Sequence, residues 1–317
     1  MDGNDLKLFS GTANPELSKK VASYLKMNLG DIHIRRFSDG EVFCRINENV
    51  RNSDVFLIQP TCAPANENIM ELLVIMDALK RASAGRINVV MPYYGYARQD
   101  RKDSPRTPIS ARLVADLIQS VGANRIFCLD LHAPQIQGFY NIPVDHLFAA
   151  PVLLNRLLKL VPNDRSKVVL VSPDAGGVER TRAYAKRLDC SIAIADKRRD
   201  APGHVAEVNI IGDVKGKEAI LIDDIIDTAG TMVEVSKVLL KSGAEKVWAC
   251  CTHPVLSGPA TKRIMESPLE RVLVTDTIPT ADKEAICPKI EVLTVSELLG
   301  EAIARIHRGD SVSSLFI

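Results

Sequence analysis

The sequence predicts an α/β protein in which mostly parallel sheets are flanked by helices. Strand-like and helix-like runs alternate from end to end, which is the pattern of βαβ units. The chain has 317 residues, 46% of them hydrophobic, enough for one large or two medium domains. A weak repeat, GANRI at 122–126 and GAEKV at 243–247, favours two related halves. We expect the domains to be 1–148 and 149–317.

The first half contains strand-like runs that are each followed by a helix-like run. A start signal for the first helix is Asn14 followed by Pro15, and Gly122 marks a helix end. Short runs of branched apolar residues suit strands buried on both faces. The predicted strand and helix pairs are 6–9 with 16–27, 55–59 with 66–82, 87–92 with 108–121, and 126–131 with 151–161.

The second half repeats this succession. A helix-like run begins near residue 178 and another covers 233–240, with Gly243 as a helix end. The alternation again indicates a sheet flanked by helices. The predicted strands are 168–171, 192–195, 219–222, 247–251, 272–275 and 290–295.

Composition excludes several classes of partner. Forty basic and 39 acidic residues give a net charge of +1, so bulk charge attracts neither nucleic acid nor an acidic membrane. The seven cysteines form no Cys-x-x-Cys pair, which suits free thiols in a reducing compartment. The N-terminus lacks the features of a signal peptide, and no apolar run is long enough to span a bilayer. We expect a cytoplasmic protein.

The stretch ILIDDIIDTAGT, residues 220–231, carries the strongest chemical signal. Asp223 and Asp224 follow a buried apolar run where a strand is expected to reach solvent. A small, hydroxylated turn then leads into a helix, which is how backbone N–H groups are aimed at a phosphate. A capping role for Asp227 or Thr228 is the simpler alternative, but it does not explain the acidic pair. The predicted phosphate turn consists of Asp227, Thr228, Ala229, Gly230 and Thr231.

This stretch resembles the phosphoribosyl diphosphate loop of two families, the type I phosphoribosyltransferases and the ribose-phosphate diphosphokinases. The resemblance implies that residues 227–231 bind a sugar 5-phosphate and that Asp223 and Asp224 bind ribose hydroxyls. The loop alone does not choose between the families.

Residues 35–41, RRFSDGE, lie between two runs of alternating polarity and predict a hairpin with a Ser-Asp-Gly turn. Phe37 offers a stacking face, and Asp39 and Glu41 offer acceptors for an exocyclic amine. The residues alone favour a simple turn. The segment resembles the adenine-binding turn of the diphosphokinases, which implies that Phe37, Asp39, Gly40 and Glu41 bind ATP.

Residues 92–106, PYYGYARQDRKDSPR, are basic and have no apolar periodicity, so we expect a mobile loop rather than a packed element. A solvated connector is the alternative. Arginines that close over a triphosphate would neutralise charge and exclude water. The segment resembles the catalytic flexible loop of the diphosphokinases, in which Arg98 and Gln99 would contact ATP.

Asp130 and His132 stand at the end of a predicted strand, 127–131, where alternation places both side chains on one side. The string DLHAPQIQGF resembles the magnesium segment of the diphosphokinases, which implies that His132 is a metal ligand and Asp130 a weaker one. Asn141 stands where some members have Asp, and Pro134 where some have Ser.

Two further strand ends carry chemistry. Asp174 lies in SPDAGG, which resembles the family segment whose Asp is associated with Mg²⁺; an ordinary capped turn is the alternative. Lys197 and Arg199 lie in DKRRD, which resembles the family's catalytic Lys-x-Arg pair; a solvated turn is the alternative. Arg199 is also expected to contact the sugar phosphate.

The chain is thus identified by resemblance as a member of the class I ribose-phosphate diphosphokinases. The resemblance implies two phosphoribosyltransferase-like domains, a homohexamer, Mg²⁺, and transfer of the diphosphoryl group of ATP to ribose 5-phosphate, with ADP and phosphate as effectors. A type I phosphoribosyltransferase and a non-catalytic synthetase-associated subunit are the alternatives. The intact basic loop and Lys-x-Arg pair favour an active diphosphokinase.

Overall fold

A computed structural model describes residues 5–198 and 207–316 as two compact units. The first unit consists of the described residues within 1–148, 277–279 and 294–317. The second consists of those within 149–276 and 280–293. Within the described ranges, no helix is long and apolar enough to cross a membrane.

The first unit is built on a parallel sheet with the strand order β1-β4-β5-β6-β7. Its central strands are apolar and buried along almost their whole length, as expected for a sheet covered on both faces. Strands β2 and β3 form a separate antiparallel hairpin. The elements are β1 (Leu6–Ser10), α1 (Pro15–Tyr24), β2 (Ile32–Arg36), β3 (Val42–Ile46), β4 (Asp54–Ile58), α2 (Ala65–Arg81), β5 (Arg86–Met91), α3 (Ser110–Val121), β6 (Arg125–Leu129) and β7 (Val144–Leu147).

The second unit contains a larger sheet with the order β10-β9-β8-β11-β12-β13-β14. Its strands are parallel except for β10, which pairs antiparallel with β9 at the edge. The elements are α4 (Ala150–Leu160), β8 (Val168–Ser172), α5 (Val178–Leu188), β9 (Ser191–Arg198), β10 (Glu207–Ile211), β11 (Glu218–Ile226), α6 (Gly230–Lys241), β12 (Lys246–Pro254), α7 (Ala260–Glu266), β13 (Arg271–Thr275), α8 (Ala281–Ile286) and β14 (Ile290–Leu293).

The C-terminal helix α9 (Ser296–Arg308) is grouped with the first compact unit, and the domain bounds 1–148 and 149–317 stay a prediction. Its apolar face is buried, and it packs against α1, where Tyr24 donates a 3.1 Å hydrogen bond to Glu301. His307 Nδ1 lies 2.8 Å from the buried Asp54 carboxylate. The contacts that recruit α9 are distant in sequence, so order along the chain could not predict them.

The predicted fold class, α/β with mostly parallel sheets flanked by helices, is confirmed. Two predicted strand ends near the chemistry are wrong. Strand β11 continues to Ile226, so Asp223 and Asp224 lie within it and not beyond its end. Strand β6 stops at Leu129, so Asp130 and His132 lie outside it.

Candidate active site

The acidic pair in β11 shares one cation from α5. Arg180 Nη1 lies 3.0 Å from Asp224 Oδ1 and 3.5 Å from Asp223 Oδ1. The Asp224 side chain is 4% exposed and that of Asp223 is 21% exposed. Burial, and then the charge and hydrogen bonding of Asp224, raise the pKa of the Asp223 carboxyl well above its usual range, although Arg180 acts in the opposite direction. Two adjacent carboxyls of this kind offer acceptors for sugar hydroxyls.

The predicted phosphate turn, residues 227–231 and called the phosphate loop from here on, leads from the end of β11 into the first residues of α6. Ala229 has φ 59° and ψ 5°, a left-handed conformation that costs about 1 kcal/mol for a residue with a Cβ. Gly230, the next residue, is the first of the helix. A left-handed residue followed by a right-handed one makes successive N–H groups converge on one point, the arrangement called a nest, and the helix dipole adds positive potential there.

The capping alternative for this loop is wrong. The residue at the cap position of α6 is Ala229 and not Asp227 or Thr228, and the Ala229 side chain makes no capping hydrogen bond. The carboxylate of Asp227 instead accepts a hydrogen bond from the Ser257 hydroxyl. The loop carbonyl of Thr228 accepts from Arg263 Nη1 at 3.0 Å. Side chains that follow β12 in the chain, Ser257 and Arg263, therefore hold the loop by hydrogen bonds.

The predicted hairpin turn at residues 37–41 is confirmed. Phe37 N–H donates to the Glu41 carbonyl at 2.8 Å, and Gly40 has φ 96°, which favours glycine. The Asp39 carboxylate accepts from Glu41 N–H at 3.1 Å and so shapes the turn. Phe37 is 42% exposed, and the Arg35 guanidinium lies 4.3 Å from its ring centre on one face. An exposed aromatic ring at a rigid turn is suited to stacking on a base.

The basic loop, residues 92–106, is held within the first unit by hydrogen bonds of Gln99 and Asp100. Gln99 Oε1 accepts from the Ser110 hydroxyl at 2.6 Å, and its carbonyl accepts from Ala111 N–H at 3.2 Å, both in the first turn of α3. The Asp100 carboxylate accepts from Gln135 at 2.7 Å. Arg98 and residues 101–106 are exposed. The prediction that this segment does not pack is wrong for Tyr94 and Ala97, which are buried in the core of the first unit, and the mobility of the loop stays a prediction.

Asp130 and His132 do not share one environment. Asp130 has φ 38°, which turns the chain out of the β conformation, so the alternation argument is wrong here. Asp130 is 4% exposed, whereas His132 is an exposed residue. Between them, Leu131 N–H donates to His146 Nε2 at 2.8 Å. His132 is thus the more accessible of the two proposed ligands.

Asp174 is exposed in the turn between β8 and α5. One of its carboxylate oxygens accepts from Gly177 N–H at 2.9 Å, as the capped-turn alternative requires. A Cβ at Gly177 would lie 2.8 Å from the Ser172 hydroxyl, so the turn needs glycine there. Lys197 lies in strand β9, and Arg199 lies outside the described residues.

Comparisons with known proteins cover the whole chain. Residues 6–122 match the model of the N-terminal domain of ribose phosphate pyrophosphokinase, and residues 197–317 match that of the phosphoribosyl synthetase-associated domain. The ribose-phosphate pyrophosphokinase of Caldanaerobacter subterraneus is 55% identical over 314 residues, which cover 99% of this chain and 98% of that protein. The chain belongs to the ribose-phosphate pyrophosphokinase family.

Other members of the ribose-phosphate pyrophosphokinase family support this assignment. The chloroplastic ribose-phosphate pyrophosphokinase 2 of Arabidopsis thaliana is 53% identical over 98% of this chain and 78% of that protein. The crystal structure of phosphoribosylpyrophosphate synthetase from Mycobacterium smegmatis superposes with a TM-score of 0.91 at 42% identity, over 96% of this chain and all of that one. The protein is therefore an enzyme of this pyrophosphokinase family, with two phosphoribosyltransferase-like domains.

The donors expected to hold Mg²⁺ in a ribose-phosphate pyrophosphokinase are sparse. Across residues 5–198 and 207–316, no group of three or more His, Cys, Asp and Glu side chains could hold a metal ion. Mg²⁺ typically takes one or two carboxylates and keeps waters and substrate phosphates as its other ligands. The exposed Asp174 carboxylate fits such a cation when it arrives with a nucleotide. His132 fits less well by donor type, because Mg²⁺ favours oxygen.

Sequence reasoning missed Arg180, Ser257 and Arg263. The position of Arg180 in the first turn of α5 gave no clear signal, because Glu179 beside it already supplies an acid at this helix end. Arg263 lies 35 residues beyond its partner Thr228 and Ser257 lies 30 beyond Asp227, so no local pattern predicted either contact.

Proposed function

We propose that the protein transfers the diphosphoryl group of Mg-ATP to the 1-hydroxyl of ribose 5-phosphate, which yields 5-phosphoribosyl 1-diphosphate and AMP. The observation that carries this proposal is identity above 50% along the whole chain to ribose-phosphate pyrophosphokinases. In the reaction, the sugar hydroxyl oxygen forms a bond to the β-phosphorus of ATP. The bond between that phosphorus and the oxygen bridging it to the α-phosphorus breaks, and AMP leaves.

The second unit would bind the sugar. The nest at Ala229 and Gly230, with the hydroxyls of Thr228 and Thr231, suits a dianionic 5-phosphate, because its N–H groups point to one place before any ligand arrives. Asp223 and Asp224 would bind the ribose hydroxyls. Their role is orientation of the sugar, since phosphoryl-type transfer depends mainly on positioning and charge neutralisation.

The first unit would bind ATP through two segments. Phe37 would stack on the adenine while Asp39, Gly40 and Glu41 set the shape of the turn and offer acceptors. Arg98 and Gln99 would contact the nucleotide from the basic loop. The two hydrogen bonds of Gln99 to α3 would hold Gln99 in place. The exposed residues 101–106 would close over ATP and exclude water.

Charge neutralisation during transfer would come from basic side chains and Mg²⁺. Lys197 supplies a mobile point charge and Arg199 a guanidinium fork, which together suit the moving diphosphoryl group. Mg²⁺ would supply further charge stabilisation; the proposed metal ligands are Asp174 in the second unit and, in the first unit, His132 and more weakly Asp130. Arg199 would also contact the sugar phosphate.

The pathway, compartment, oligomeric state and effectors that we propose are those expected for a ribose-phosphate diphosphokinase. The product would supply nucleotide, histidine and tryptophan biosynthesis in the cytoplasm, and the working form would be a homohexamer under the control of ADP and phosphate. A type I phosphoribosyltransferase would instead consume this product with release of diphosphate. A non-catalytic subunit would bind ligands without turnover.

A coupled assay separates these functions. Purified protein is incubated with ATP, ribose 5-phosphate and Mg²⁺, and AMP is quantified with and without added ADP and phosphate. We expect AMP formation that depends on both substrates and on Mg²⁺. Diphosphate release that depends on a nucleobase, without AMP, would replace the proposal with the phosphoribosyltransferase reaction. Absence of any turnover would favour the non-catalytic subunit.

A further inference from the structure

We propose that Arg263 and Ser257, which lie outside the phosphate loop, are positioning residues that hold this loop in its anion-binding shape. The inference rests on the proposed function, since it assigns these residues to the binding of ribose 5-phosphate. It concerns the second unit alone. The segment that carries them runs from the end of β12 into α7.

Ser257 fixes the start of the loop through two hydrogen bonds. Its N–H donates to the Asp227 carbonyl at 3.1 Å, and its hydroxyl donates to the Asp227 carboxylate. The preceding residue, Leu256, donates its N–H to the Ile226 carbonyl at 2.9 Å. The backbone that leaves β11 is thus held at consecutive residues. The Asp227 carboxylate is engaged by a donor, which reduces its repulsion of an anion bound to the loop.

Arg263 fixes the orientation of the peptide unit that precedes the left-handed residue. Its Nη1 donates to the Thr228 carbonyl at 3.0 Å. In a planar trans peptide the carbonyl and the following N–H point in opposite directions, so a donor on the carbonyl side turns the Ala229 N–H to the other side. That N–H belongs to the nest. Arg263 therefore acts on the geometry of the nest through the backbone.

The position of Arg263 also has an electrostatic consequence. Its Nη1 would lie 3.6 Å from a Cβ at Gly230, so the guanidinium lies beside the first turn of α6. A cation at a helix N-terminus opposes the helix dipole. The Thr228 carbonyl compensates part of this cost, and a bound phosphate dianion would compensate more. The energetic benefit of Arg263 is consequently expected to be larger in the sugar complex than in the free enzyme.

The test compares single variants of the full-length enzyme. Arg263→Met removes the donor and the charge, Arg263→Lys retains a charge and a donor, and Ser257→Ala removes one bond to Asp227. The control is Lys262→Met, which removes a neighbouring, exposed cation whose ion-pair partner is Glu266 and not the loop. The readouts are KM for each substrate, kcat, the dissociation constant of ribose 5-phosphate by calorimetry, and the thermal melting midpoint.

Arg263→Met is expected to raise the KM and dissociation constant of ribose 5-phosphate about tenfold, as for loss of one charge-assisted hydrogen bond. The KM for ATP should stay within about twofold, Arg263→Lys should recover part of the affinity, and Lys262→Met should match the wild type. Ser257→Ala should raise the sugar KM in the same direction. If Arg263→Met does not fold, Ser257→Ala and Arg263→Lys still provide the comparison.

Equal effects on both substrates, or a lower melting midpoint with unchanged sugar affinity, would overturn the inference and leave Arg263 a structural residue. A wild-type enzyme that forms no AMP would instead overturn the proposed function. The two failures are distinguishable, because calorimetry with ribose 5-phosphate requires no turnover.

Discussion

The Arg180 guanidinium forms one cluster with the carboxyls of Asp223 and Asp224 and is expected to stabilise the second unit through these contacts. Arg180→Met removes the cation that lies 3.0 Å from Asp224 and 3.5 Å from Asp223. The two carboxyls then lose this shared partner. Methionine keeps much of the apolar stem, so the change acts mainly on charge.

The expected loss follows from exposure. Removal of one partner from a fully buried ion pair costs about 3–5 kcal/mol. Because Arg180 is 22% exposed and Asp223 21%, solvent screens part of the interaction, and we expect a loss of about 2 kcal/mol at alkaline pH. The pKa of Asp223 is already raised by burial and by Asp224, and loss of Arg180 raises it further. Its folded form then binds a proton more strongly than its unfolded form, so stability falls as pH rises from 3.8 through the folded pKa.

Urea unfolding monitored by tryptophan fluorescence provides the assay. Trp248 is the one tryptophan of the chain and is buried in β12, so it reports on the second unit, where the cluster lies. The control is Arg182→Met, which removes an exposed cation from the same helix. Both variants and the wild type are measured at pH 4 and pH 9. The loss for Arg180→Met should be greater at pH 9, and Arg182→Met should match the wild type.

A loss that is equal at the two pH values would refute the electrostatic reasoning and indicate a packing effect alone. A loss equal to that of Arg182→Met would show that the cluster contributes nothing. Addition of Asp224→Asn to Arg180→Met should recover part of the stability, because it removes one of two neighbouring acidic groups that repel each other when both are ionised.

Three further predictions concern separate parts of the chain. Burial alone would raise the pKa of Asp54, but hydrogen bonds from Arg86 and two other partners lower it. The contribution of Asp54 to stability is therefore lost as pH falls below 3.8 through the folded pKa. Asp54→Asn should flatten the acid limb of a circular dichroism titration, and an unchanged limb would contradict this. Phe37→Ala should raise the KM for ATP about tenfold through loss of stacking and leave the KM for ribose 5-phosphate unchanged in steady-state assays; a shift in the sugar KM alone would exclude an adenine role. Lys197→Ala should lower kcat about 100-fold with little change in the KM for ATP, and unchanged turnover would remove Lys197 from the catalytic residues.

Local patterns were sufficient to predict the elements that carry the chemistry. The run from Ile220 to Thr231 predicts a strand, a small turn and a helix, and these are present as β11, the phosphate loop and α6. The Ser-Asp-Gly turn predicts the β2–β3 hairpin for the same reason, because turn type depends on a few adjacent residues. Such features need no knowledge of distant parts of the chain.

Contacts between distant residues account for what the sequence did not reveal. Arg180 reaches Asp224 across 44 positions, and α9 packs on α1 near the other end of the chain. The predicted end of β6 was wrong because Asp130 adopts a left-handed conformation. Asp tolerates this conformation, but the adjacent residues contain no pattern that predicts it. Each of these outcomes depends on tertiary packing rather than on local periodicity.

The central claim is that the diphosphoryl group of ATP moves to the sugar as one unit. ATP labelled with ³²P at both its β- and γ-phosphorus tests this directly, by chromatography and radiochemical analysis of the products after incubation with ribose 5-phosphate and Mg²⁺. We predict that both labels appear together on the sugar product and that the AMP carries neither. A labelled β-phosphorus in ADP, with only the γ-label on the sugar, would contradict the assignment.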